Sequence, residues 1–243
     1  MSDTPRDMYD ILDEVNSVIS DACSRSGRSP DEVEIIGVTK KHGPDVVREA
    51  RDAGINIFGE NRVQEAAWKI PECGGGMEFH MIGHLQRNKI RAALPLFSAF
   101  HAIDTVRLLD SIERISAEQG HRPEILLEVN VSGEAAKYGF KPDQIDEAVE
   151  RSLEMHNITL TGLMTMAPFT PEIEETRPVF AGLRELRDRL EKKFDIGLPN
   201  LSMGMSNDYA IAVEEGATWV RLGTLLFGGR PKWKPEQEYR WEP

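Results

Sequence analysis

Short runs of β-branched and apolar residues alternate along this chain with stretches whose apolar residues recur every three to four positions. The first helical stretch covers 8–25, where Ile11, Val15, Val18, Ile19 and Cys23 share one face. A strand follows over 34–39. Pro44 then opens a helix at its first turn and Gly54 ends it. The alternation continues with strands over 55–58, 78–82, 99–103, 124–131, 158–166, 200–203 and 218–222. The intervening helices are expected over 62–70, 88–96, 106–119, 144–155, 172–194 and 208–215, and a short apolar piece at 225–227 closes the series.

Eight strand–helix units behind one extra helix require crossover connections, and hence a parallel sheet. The sequence predicts an α/β chain folded as a single (β/α)8 TIM barrel. Its core spans about 30–230, with an N-terminal helix over about 8–25 and a C-terminal tail over 231–243. An open doubly wound sheet is the competitor, but its G-x-G-x-x-G turn is absent after the first strand. A length of 243 residues suits one such barrel.

Composition narrows the function classes. The chain is 40% hydrophobic and 29% charged, which excludes collagen-like, coiled-coil and largely disordered readings. The formal net charge of −12 argues against general binding to nucleic acid or to anionic membranes, while permitting one local pocket for a small anion. Cys23 and Cys73 make no C-x-x-C pair and read as reduced thiols. No apolar run resembles a signal peptide or reaches the roughly 20 residues of a membrane span. The expectation is a soluble, cytoplasmic monomer.

In a barrel the chemistry lies where the strands end at their C-terminal side. Loops after the seventh and eighth strands commonly hold phosphate. Here they carry Ser206, with Gly204 before it, and Gly223-Thr224. The ordinary alternatives are a helix cap at or near Ser206 and a permissive turn at Gly223. Lys40 ends an apolar strand, where desolvation favours a neutral, nucleophilic amine able to capture a carbonyl. If Val38 faces inward, alternation brings Lys40 inward and Lys41 outward. The alternative is a solvated lysine pair. Arg221 lies among apolar neighbours in Trp219-Val220-Arg221-Leu222 and needs an acceptor, either a carboxylate in an ion pair or a ligand atom.

Other constellations are weaker. The six histidines lack H-x-H or H-E-x-x-H spacing, so no metal is expected. G-x-S-x-G and P-loop patterns are absent. Gly74-Gly75-Gly76 reads as a loop, and Glu172, Glu174 and Glu175 read as solvent-facing charges of a first helical turn.

Several segments in order resemble one family: Val38-Thr39-Lys40, Phe58-Gly59-Glu60-Asn61, Ile82-Gly83-His84-Leu85-Gln86, Val129-Asn130-Val131-Ser132-Gly133-Glu134, Gly162-Leu163-Met164-Thr165-Met166, Ser202-Met203-Gly204-Met205-Ser206-Asn207-Asp208 and Val220-Arg221-Leu222-Gly223-Thr224. They are similar to the pyridoxal phosphate homeostasis proteins, which resemble the N-terminal domain of alanine racemases. The resemblance implies a barrel holding pyridoxal 5′-phosphate as a Lys40 aldimine. It implies phosphate contacts from Ser206, Gly223 and Thr224, Arg221 at the pyridine nitrogen, and Asn61 and Met166 beside the ring. Thr39 stands where the family usually has serine. Lys41-His42-Gly43 replaces a common Thr-Lys-Pro, so His42 occupies the place of a second lysine.

Two functions fit this resemblance. One is storage, buffering or delivery of the cofactor to pyridoxal-phosphate-dependent apoenzymes, without catalytic turnover. The other is an amino-acid racemase working without the second domain that supplies a tyrosine in alanine racemases. Arg221 beside the ring nitrogen would weaken the cofactor as an electron sink, and the absent second domain points the same way, so the carrier is the expectation.

Overall fold

The computed structural model describes residues 7–134 and 137–229. The C-terminal tail expected over 231–243 lies outside the described residues. Asp7 caps the first helix, α1 (Met8–Ser26), by accepting the amide of Tyr9. Gly27 ends it in the left-handed region, with φ 70°. Leu12, Val15, Ile19, Ala22 and Cys23 form its buried face, which lies against α8 (Tyr209–Glu214).

The strands are β1 (Glu34–Val38), β2 (Ile57–Glu60), β3 (Glu78–Met81), β4 (Ala99–Ile103), β5 (Glu124–Glu128), β6 (Thr159–Met164), β7 (Asn200–Met205) and β8 (Trp219–Leu222). They form a closed barrel in sequence order, and β1 pairs in parallel with both β2 and β8. The connecting helices are α2 (Pro44–Asp52), α3 (Val63–Cys73), α4 (Ile90–Ala93), α5 (Val106–Gln119), α6 (Ile145–Leu153) and α7 (Arg177–Phe194), with α9 (Thr224–Phe227) after β8.

The expected barrel is the observed one, with shifts at element ends. Strand β2 runs two residues later than its apolar pattern suggested, and α3 continues through Pro71 to Cys73. The expected helix at 88–96 is a 3-10 turn at Arg87–Lys89 followed by α4. The expected strands at 124–131 and 158–166 are shorter, and this frees their C-terminal residues to form the mouth loops. Among the described residues no helix is long and apolar enough to cross a membrane.

Side-chain alternation divides the sheet into two layers. Ile36, Ile57, Ala102, Leu126, Met164 and Trp219 fill the barrel interior. Phe58, Phe79, Phe100, Leu127, Leu163, Leu201 and Val220 face outward into the apolar layer under the helices. The interior phase carries on toward the C-terminal ends. On the strands it brings Glu128 and Arg221 to the mouth. Just beyond them, Lys40, Asn61 and Met166 stand in the same phase.

Candidate functional site at the C-terminal mouth

The two phosphate-type loops meet through one hydroxyl. Ser206 Oγ accepts the amides of Gly223 at 3.3 Å and Leu225 at 3.2 Å. Ser206 is therefore not the N-cap of α8. Asp208 holds that place, and its carboxylate accepts the Met205 amide at 2.6 Å. Packing alone requires a glycine at position 204. Its φ is 90°, and an added Cβ would stand 2.6 Å from the Ala212 methyl. Glycine there lets the loop turn tightly over α8 and presents Ser206 to the β8 turn. Thr224 is exposed and begins α9 beside that turn.

Arg221 is fully buried, yet it makes no ion pair among the described residues. Nη1 donates to Ser202 Oγ at 2.6 Å and Nη2 to the Thr165 carbonyl at 3.0 Å. Of the two alternatives for this residue, the structural ion pair is thus the one not seen. Burial pulls its guanidinium down to about 10, against the pull of Asp208 and Glu128. It remains a cation at neutral pH.

The hydrogen bonds behind Arg221 form one continuous chain. A guanidinium can only donate, so Ser202 Oγ accepts from it, which leaves the Ser202 proton available to His101 Nδ1, 2.8 Å away. In that arrangement His101 carries its proton on Nε2 and donates to His80 Nδ1 at 3.0 Å. His80 Nε2 faces Glu78 Oε2 at 3.8 Å near the opposite end of the barrel. Trp219 stacks on His101 with ring centroids 5.0 Å apart. Burial first, then His80 and Arg221, hold His101 well below the ordinary histidine range, so it is neutral. Metal-type spacing is the signal histidines give in a sequence, and these two lack it, so nothing local marks this chain. Among the described residues there is no group of three or more potential metal ligands.

Lys40 occupies a turn just past β1 rather than the strand itself. Lys41 follows in the left-handed region with φ 67°, an unusual conformation for a non-glycine residue. A charge cluster buried behind the wall holds this turn. Lys69 Nζ, with no exposure, donates to the Thr39 carbonyl at 2.9 Å, Glu60 Oε1 at 2.8 Å and Glu65 Oε1 at 2.7 Å. Thr39 Oγ1 donates to Glu60 Oε1, and the Lys41 amide donates to Glu65 Oε1 at 2.6 Å. All three ammonium protons are thereby used, and the backbone on both sides of Lys40 is fixed. Burial raises the Glu60 carboxyl, with Lys69 opposing it, and Glu60 Oε2 has no partner. His42 is buried and tilts against Phe227 at 5.5 Å, which makes it a packing residue beneath α9.

Asn61 follows β2, and Gly83 makes room for it: a Cβ on Gly83 would stand 2.5 Å from the Asn61 carbonyl oxygen. Asn61 Oδ1 is buried without a hydrogen-bond partner. Met166 lies at the rim, 40% exposed, and its carbonyl accepts from Lys137 Nζ at 3.4 Å.

The other side of the mouth is acidic. Glu128 ends β5 with 5% exposure, and Asp104 follows β4 with a side chain 7% exposed. Burial first and Asp104 second raise Glu128 to about 7. His84 Nδ1 lies 3.2 Å from Asp104 Oδ2, and Tyr138 stacks on His84 with centroids 4.6 Å apart. The sequence signal for Glu128 was the one that revealed Arg221: a charged residue within an apolar strand, Ile125-Leu126-Leu127-Glu128-Val129.

Comparison with known proteins agrees with this geometry. The family profile described as alanine racemase, N-terminal domain, matches residues 21–231. A pyridoxal phosphate homeostasis protein of Aquifex aeolicus is 41% identical over 90% of this chain and 96% of its own. A crystal structure of a protein of unknown function from Bifidobacterium adolescentis superposes with a TM-score of 0.85 at 32% identity, covering 91% of this chain and 95% of that one. PipY of Synechococcus elongatus, solved with PLP bound, gives a TM-score of 0.77 at 35% identity, covering 87% of this chain and 100% of that one. The chain belongs to the alanine racemase N-terminal domain family and, within it, to the pyridoxal phosphate homeostasis proteins.

Proposed function

We propose that this protein binds pyridoxal 5′-phosphate on the β7–β8–β1 side of its mouth and holds it through a reversible imine at Lys40, storing, buffering or delivering it to apoenzymes. The observation that carries this reading is a juxtaposition on three neighbouring strands. The amides gathered at Ser206, the buried Arg221 and the fixed turn of Lys40 stand side by side, and Ile36 of β1 is paired with Arg221 of β8.

The donor set fits the cofactor group by group. The Ser206 and Thr224 hydroxyls suit a phosphate, and the Gly223 and Leu225 amides, which bond Ser206 Oγ, would turn to it on binding. Arg221, which can only donate, suits a ring nitrogen that accepts and stays unprotonated. The unpartnered Asn61 amide oxygen, or its NH2 in the flipped rotamer, suits the ring hydroxyl. Met166 offers an apolar contact to the ring plane. Bound there, the cofactor supplies an aldehyde carbon that a primary amine captures.

Arg221 also supports a carrier over a racemase. A ring nitrogen facing an obligate donor is a poor electron sink, while capture and release by an amine need no such sink. Adding the cofactor to the purified protein, followed by visible absorbance, tests the reading. It predicts a band that saturates at about one equivalent and shrinks when Ser206→Ala or Arg221→Met is introduced. The absence of any band in the wild-type chain overturns it.

A further inference from the structure

We propose that the β3–β5 side of the mouth is a receptor for a primary ammonium group, with Glu128 as its proton acceptor. The amines it admits are those without an adjacent carboxylate: a diamine or a lysyl side chain rather than an α-amino acid. This deepens the cofactor reading and rests on it, because the amine is the group that would take the cofactor from Lys40.

Glu128 lies at the centre of this wall. Glu128 shares the interior phase of Leu126, and the residue as a whole is only 5% exposed. Among the described residues neither carboxylate oxygen accepts a hydrogen bond. A carboxylate poorly solvated at the mouth and without protein donors favours a proton or a cation from outside. Asp104 makes the need greater. Its side chain is 7% exposed, its charge acts on Glu128, and its own contact is His84 Nδ1 at 3.2 Å. Arg221 attracts the Glu128 charge without a hydrogen bond to it. Lys137 pairs with Glu134 at 2.6 Å, and Arg221 donates to Ser202 and Thr165. The result is two largely buried carboxylates facing the mouth opposite the anion-binding turn.

The shape of this wall agrees with the charge. Tyr138, 63% exposed, lies flat on His84 and forms a ring surface at the rim. A polymethylene stem can lie along such a surface while its ammonium reaches Glu128. An α-amino acid would bring its own carboxylate against Glu128 and Asp104, and like charges in a poorly solvated site repel strongly.

The proton balance is simple. R–NH3+ gives one proton to the Glu128 carboxylate, yielding R–NH2 and a carboxylic acid. The lone pair so released can attack the carbon held at Lys40, and the same proton returns from Glu128 when the amine leaves. Burial makes Glu128 a stronger proton acceptor than an ordinary carboxylate.

The test uses the full chain, first without cofactor, with glutamate labelled by 13C at the side-chain carboxyl. Glu128→Gln identifies the Glu128 resonance, and Glu128→Asp does so if that variant fails to fold. Saturating 1,5-diaminopentane is expected to lower the Glu128 midpoint by at least one pH unit, whereas L-alanine at the same concentration leaves it in place. Asp104→Asn is expected to weaken diamine binding at least fivefold. An unmoved midpoint with the diamine, or an equal shift with L-alanine, overturns the receptor. Visible absorbance after addition of the cofactor is read separately. A normal band with no diamine response sinks the receptor alone, and a missing band sinks the cofactor reading alone.

Discussion

The two sides of the barrel mouth are built from the same parts and carry opposite chemistry. On the β7–β8–β1 side, backbone amides, hydroxyls and Arg221 converge as donors, and the amides and Arg221 are held by named partners. On the β3–β5 side, Glu128 and Asp104 present acceptors, and Glu128 has no hydrogen-bond partner among the described residues. The contrast separates two tasks. The donor side is braced, as befits a surface that fixes one ligand in one orientation. The acceptor side keeps an unmet electrostatic demand, as befits a surface meant for a visitor.

The bracing can be broken first. Lys69→Met leaves Glu60 and Glu65 buried without their cation and unties the Lys40 turn. Loss of about 3–5 kcal/mol of stability is expected by chemical denaturation, with cofactor capture weakened in whatever fraction stays folded. A change below about 1 kcal/mol would show that the cluster does not brace the turn.

The acidic side behaves in the opposite sense. Folding raises the Glu128 carboxyl from 4.5 to about 7. The folded state therefore binds the proton more tightly than the unfolded one, and the stability so gained is present below pH 4.5 and lost as pH rises through 7. Glu128→Gln should thus match the wild type near pH 4 and exceed its stability by roughly 3 kcal/mol at pH 8. Equal stabilities at both pH values would deny that burial makes this carboxylate costly.

A finer probe concerns how Arg221 is aimed. Ser202→Ala removes the acceptor of Nη1 and should weaken cofactor binding by about ten- to a hundredfold. In the wild-type chain, long-range 15N–1H NMR should find His80 and His101 both protonated on Nε2. A proton on His101 Nδ1 would reverse the chain and remove its link to Arg221.

The same contrast explains what could be read from sequence. The barrel was legible because apolar runs and helical periodicities alternate without interruption. Arg221 and Lys40 stood out because charge in or at the end of an apolar strand is conspicuous. Glu128 gives that same signal within Ile125-Leu126-Leu127-Glu128-Val129, but no motif accompanies it. The other components depend on contacts between distant segments. Ser206 meets the Gly223 and Leu225 amides across two loops, Lys69 reaches Thr39 from α3, and Ser202 links β7 to β8 and β4. A hydroxyl or histidine inside a strand carries no local mark of such a partner. The N-cap expected near Ser206 fell to Asp208 because the tight turn at Gly204 commits Ser206 to the neighbouring loop.

The central claim is that Lys40 captures the cofactor on the braced side of the mouth. Borohydride reduction of the cofactor-loaded protein, followed by peptide mapping with mass spectrometry, tests it most directly. The account predicts one reduced pyridoxyl-phosphate adduct on the peptide containing Lys40, and no adduct in Lys40→Ala. An adduct on another lysine of the wild-type chain, or an undiminished adduct in Lys40→Ala, would contradict it.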